Sequence, residues 1–137
     1  MRKYAPFLLL FVFLNSCSGE SEVNLIDPNL EGQWTLTEAQ CFCFFPEDFN
    51  FAAHRIAFDT ENNRINIVND FDSFFILEAG SYVVNAFEDT LIINEELEYR
   101  YSISNNQLRL ILVDDPNISD DEITLIYRKE NGIFSSP

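Results

Sequence analysis

The residues of this chain that could do chemistry crowd into one stretch, Cys41-Phe42-Cys43-Phe44-Phe45-Pro46-Glu47-Asp48-Phe49-Asn50-Phe51, with the sole histidine, His54, just beyond it. Two thiols one residue apart can be joined, stay free and buried, or hold a soft metal. In an extended strand their Cα atoms lie about 6.6 Å apart with parallel side chains, which suits a disulfide poorly. A bulge brings them closer, and an exported chain meets oxidising conditions. Thiolates bind soft metals, but Cys-x-Cys supplies two ligands, with His54 a third, where a zinc site takes four. No base stands beside these thiols to activate a nucleophile, so His54 is expected at a strand edge, outside any catalytic role.

Elsewhere the chemistry is thinner. Asp115, Asn117 and Ser119 have the alternate spacing of a calcium loop. Asp120 stands where that loop needs Gly, and Ile126 where it needs a bidentate Glu, so a solvated turn is expected. Glu96 and Glu98 share a parity and so one strand face, as carboxylate pairs do on any surface this acidic. The chain has no G-x-S-x-G, no His-Glu-x-x-His and no Gly-rich phosphate loop. The expectation is a protein that is not an enzyme, with no catalytic residue, metal or cofactor assigned.

The elements that must position these residues are strands. From Leu30 onward short runs rich in Ile, Val, Leu, Phe and Tyr alternate with clusters of Asn, Asp, Ser and Gly, the pattern of strands and turns. Trp34-Thr35-Leu36-Thr37 opens the series. Ile56–Phe58 and Ile65–Val68 form a hairpin through Asp59–Asn63; Tyr82–Val84 and Leu91–Ile93 form another through Phe87–Thr90. Leu97–Ile103 and Leu108–Leu112 turn at Ser104–Gln107, and Ile123–Arg128 comes last. Phe74–Leu77 is either a strand or a packed loop, so the count is eight or nine. An up-and-down antiparallel β-barrel of about eight strands is the expected fold, because closure removes exposed edges.

The chain has 137 residues, 8 basic and 23 acidic, and its first part is set aside as a leader. Arg2 and Lys3 precede an apolar run, Phe7–Leu14, too short to span a bilayer and laid out as a signal peptide. Leu14-Asn15-Ser16-Cys17 resembles a bacterial lipobox, which implies lipidation of Cys17 after removal of residues 1–16. Several acyl chains on one residue anchor stably. The acidic Ser18-Gly19-Glu20-Ser21-Glu22 is similar to export signals of surface lipoproteins in Bacteroidetes-type bacteria. Residues 17–28 are read as the lipidated Cys and a flexible acidic tether, 29–130 as the barrel, and 131–137 as a tail. Loss of Arg2 and Lys3 leaves a net charge of −17, with 6 basic residues against 23 acidic. Such a surface repels nucleic acid.

Gly32-Gln33-Trp34 resembles the G-x-W motif that opens the first strand of lipocalins. In that family an Arg near the last strand packs over the Trp, which implies Arg128 as the partner here. The whole domain is similar to small lipocalin-like lipoproteins of Bacteroidetes, which share Leu30-x-Gly32-x-Trp34-x-Leu36, a stretch like Ile103–Leu108 and a final Tyr-Arg. The resemblance implies a floor closed at Trp34 and a mouth covered by the Phe-rich segment. It implies an outer-membrane protein held by its lipid, with a small apolar ligand as the expected partner. Ligand contacts are expected from Phe42, Phe44, Phe45 and Phe49 at the mouth and from Phe58, Tyr82, Tyr99 and Tyr101 inside. Other inward positions are Ile67, Val84 and Leu110. The alternative is an envelope protein-interaction module, acting through its acidic surface or Phe-rich loop with no internal ligand.

Overall fold

In a computed structural model of the chain, the residues described are 26–70, 75–113 and 122–131. The leader, Cys17, the tether as far as residue 25, Phe74, the acidic loop at 114–121 and residues 132–137 lie outside them. Eight strands follow one another: β1 Gly32–Gln40, β2 His54–Asp59, β3 Arg64–Asn69, β4 Gly80–Phe87, β5 Thr90–Ile93, β6 Leu97–Ser104, β7 Gln107–Leu112 and β8 Thr124–Lys129. Each pairs antiparallel with the next, and β8 returns to β1, closing an up-and-down barrel of the lipocalin/calycin type. The region from Phe75 to Leu77 is a packed loop, with Ile76 buried, and the strands among the described residues number eight.

Alternation builds the interior. Residues of one parity along each strand face inward, as the two-residue period requires. Trp34 and Leu36, Ile56 and Phe58, Ile65 and Ile67, Leu91 and Ile93, and Leu108 and Leu110 are all buried, with Val84 and Tyr99 beside them. The inward set expected from the sequence therefore has the right register. The turns obey local chemistry too. Asn105 and Asn106 both take positive φ in the two-residue β6–β7 connection, the conformation that asparagine tolerates best after glycine.

The floor is built around Trp34. Gly32 has φ +100°, a region that L side chains rarely adopt, and it turns the chain into β1. The indole Nε1–H of Trp34 donates to the Leu30 carbonyl at 2.7 Å, satisfying its one polar group. Leu30 closes a 3-10 turn, Pro28–Leu30, whose first residues are capped by the Asp27 carboxylate. Ile26 and Leu30 are both buried in the core. Residues 26–28, read from sequence as the end of a flexible tether, are thus part of the packed domain, because Ile26 supplies apolar surface under the barrel.

The cation over Trp34 is Lys129, its Nζ 5.1 Å from the ring centroid, and not Arg128. Strand parity is the reason. Tyr127 faces the core, so Arg128 faces solvent beside Thr35, and Lys129, the register partner of Trp34, returns to the indole's side. Lys129 Nζ also donates to the Asn29 carbonyl at 3.1 Å.

Candidate functional site

The mouth, opposite Trp34, carries the chemistry. There β1 ends at Gln40, and the chain bends at Cys41 and Phe42 before returning as β2 at His54. The bend brings the Cα atoms of Cys41 and Cys43 to 5.1 Å, and their sulfurs are joined. The extended spacing that argued against a disulfide does not apply, because the strand has already ended.

Beyond the disulfide, Phe45, Phe49 and Phe51 gather with Phe75 from the loop after β3. Phe45 lies 4.8 Å from Phe49 and 5.1 Å from Phe51, ring centre to ring centre. Phe49 is 4.9 Å from Phe51, and Phe75 is 5.9 Å from Phe45. These tilted and edge-on spacings are those of attractive aromatic pairs. Phe45, Phe49 and Phe75 form one wall of an open groove of about 420 Å³, completed by Cys41, Cys43, Phe44, Pro46 and Ile123. Phe42 and Phe44 project into solvent, 93% and 97% exposed.

Beneath this cluster lies a polar network that strand parity predicts once His54 is placed in β2. His54, Ile56 and Phe58 share one parity, and all three are buried. His54 has no exposed surface, packs 5.5 Å from the Phe75 ring, and meets the Tyr127 hydroxyl at Nε2 at 2.9 Å. Its Nδ1 is bonded to Asn69 Oδ1, while Asn69 Nδ2 donates to the Leu77 carbonyl at 3.0 Å. That second bond fixes the amide's orientation, so Oδ1 must accept. Nδ1 therefore carries the proton, and Nε2 accepts from Tyr127 Oη–H. Every polar atom of the trio has a use, as a buried network requires.

Burial holds the His54 pKa below its ordinary 6.5, with the Asn69 bond opposing it in part. Burial also pushes the Tyr127 phenol well above 10, helped by nearby Tyr99, which is itself pushed up to about 12. The trio is neutral at pH 7. His54 and Tyr127 are fully buried, and Asn69 is half-buried beside them. With the two sulfurs joined and both imidazole nitrogens engaged, Cys41, Cys43 and His54 are not arranged as metal ligands.

Of the residues expected to meet a ligand, Phe44, Phe45 and Phe49 come together at the groove, and Phe42 stands exposed beside it. Phe58 and Tyr99 are buried in the core of the barrel. Tyr82 is half-buried in the wall and donates to the Glu78 carbonyl at 3.0 Å. Tyr101 is half-buried near the floor, where burial and Asp27 raise its pKa. Phe75 and Ile123 belong to the groove and were not anticipated. Glu96 lies in the turn before β6, so it does not share a strand face with Glu98. A second depression of about 500 Å³ at the floor is lined by Asp27, Asn29, Ser104, Asn105, Asn106 and Lys129 as well as Trp34 and Ile103. Its polar rim suits water better than an apolar molecule.

No protein-family model matches the chain, and neither does any curated protein.

Proposed function

We propose that this protein is a lipid-anchored lipocalin-like barrel of the outer membrane that binds a small hydrophobic molecule at its mouth without transforming it. The observation that carries the reading is the groove walled by Phe44, Phe45, Phe49 and Phe75, at about 420 Å³. That volume lies within the range of about 300–1,000 Å³ typical of small-molecule sites. The ligand lies across the mouth because Tyr99, Tyr127, His54 and the aliphatic core occupy the barrel below. A molecule hiding about 200 Å² of apolar surface gains about 5 kcal/mol before the costs of ordering. The anchor rests on the lipobox-like Leu14–Cys17, and the −17 charge keeps the domain dissolved above the bilayer.

The exposed Phe42 and Phe44 favour a second reading, in which another envelope protein docks on the rim. Native mass spectrometry of protein purified from its own host separates the two. A retained small molecule supports the first. A ligand-free barrel co-purifying with a stoichiometric partner supports the second. Titration with the fluorophore anilinonaphthalene sulfonate is the in vitro counterpart: saturable binding is expected, weakened at least about fivefold by Phe49→Ser, a loss of about 1 kcal/mol. Absence of saturable binding overturns the small-molecule reading.

A further inference from the structure

The Cys41–Cys43 bond is poorly explained as a staple. Disulfides stabilise by closing loops in the unfolded chain, and the gain falls as the loop shortens. This one spans a sequence separation of 2 and joins no two elements. It sits instead in an exposed bend, with Phe42 between its two cysteines and Phe44 just after them, both pointing into solvent. Both cysteines line the apolar groove. Cys43 is exposed and Cys41 half-buried, so a thiolate arriving along the groove meets Cys43 Sγ first. Access decides which sulfur is attacked, and exposed disulfides are the ones that exchange.

We propose that Cys41–Cys43 is a thiol–disulfide exchange site that oxidises the cysteines of apolar, extended peptide segments lying in the adjacent phenylalanine groove. The first peptide thiolate attacks Cys43 Sγ, forming a peptide–Cys43 mixed disulfide, and Cys41 leaves as a thiolate that takes up a proton. A second thiolate of the same peptide then attacks the peptide sulfur of that mixed disulfide. Cys43 leaves as a thiolate and is protonated in turn. The peptide dithiol loses two electrons and two protons and becomes a disulfide, while the protein's disulfide becomes two thiols. A single turnover needs no further oxidant. Phe44 and the wall formed by Phe45, Phe49 and Phe75 supply the selectivity, by holding apolar side chains that flank the substrate cysteines. The inference uses the groove but not the small-molecule ligand proposed for it.

The test uses the oxidised full-length chain and two reduced peptides, Cys-Phe-Leu-Phe-Cys and Cys-Ser-Gln-Ser-Cys. The apolar peptide is expected to be oxidised at one equivalent per protein, at least tenfold faster than the polar one. Alkylation and mass spectrometry should then find both Cys41 and Cys43 as thiols. Phe44→Ser, at a nearly fully exposed position that leaves the fold alone, should bring the two rates together. An apolar peptide with one cysteine, quenched in acid, should be found on Cys43. Equal rates for the two peptides, a rate no higher than with the same concentration of glutathione disulfide, or adducts on Cys41 would each overturn the proposal. A groove that saturates with anilinonaphthalene sulfonate yet shows no such exchange sinks this inference and leaves the small-molecule reading standing.

Discussion

Acidification should withdraw the contribution that buried, neutral His54 makes to the stability of this barrel. Its imidazole is neutral in the folded state, with Nδ1–H given to Asn69 and Nε2 accepting from Tyr127. Burial holds its folded pKa below 6.5, so between that lowered value and 6.5 the unfolded chain binds more protons than the folded one. The stabilising contribution is complete above 6.5 and is lost as pH falls, at up to about 1.4 kcal/mol per pH unit. Below the folded pKa both states are protonated and the loss stops growing. For a domain near 100 residues that slope corresponds to about 7 °C of melting temperature per pH unit. The informative quantity is the difference between the wild type and His54→Gln. In thermal melts from about pH 7.5 to about pH 5, the wild type should lose stability relative to His54→Gln as the pH falls. Tyr127→Phe separates the hydrogen bond from the titration. It leaves Nε2 buried without a donor, at a cost of about 1–3 kcal/mol. It also removes a bond made to the neutral ring, which eases protonation and shrinks the acid loss. Parallel melting curves for wild type and His54→Gln across the whole range would refute the reasoning.

The floor and the chain entry give two further tests. Lys129→Ala should lower stability by about 0.5–1 kcal/mol through loss of the cation over Trp34, while Arg128→Ala should stay within about 0.5 kcal/mol of wild type in urea melts. Gly32→Ala forces a side chain into φ +100°, and denaturant unfolding should show a loss of about 1–3 kcal/mol.

Most of the barrel was legible in the sequence because its strands alternate cleanly. Ile65-Asn66-Ile67 or Leu108-Arg109-Leu110 can face inward in only one register, and the asparagine turns punctuate them. What was missed was mostly parity applied too loosely. Counting by twos back from Ile56 puts His54 in the core. Counting on from Tyr127 puts Lys129, not Arg128, on the side of Trp34. The lipocalin-like resemblance supplied the expectation of a terminal Arg, and the alternation of this chain's own β8 overrides it. Tyr99 and Phe58 face inward as expected, but facing inward in a barrel this small means being core. The groove depends on the Cys41 bend and on Phe75 arriving from the loop after β3, and no local pattern announces a contact between residues so far apart in sequence.

The central claim is that an apolar ligand lies across the mouth, above a filled barrel. Nuclear magnetic resonance of the protein with its co-purified ligand, labelled at phenylalanine rings and isoleucine, leucine and valine methyls, addresses it directly. The account predicts ligand contacts to Phe44, Phe45, Phe49, Phe75 and the Ile123 methyls. Ligand contacts to the Val84, Ile93 and Leu110 methyls would place the molecule inside the barrel and contradict it.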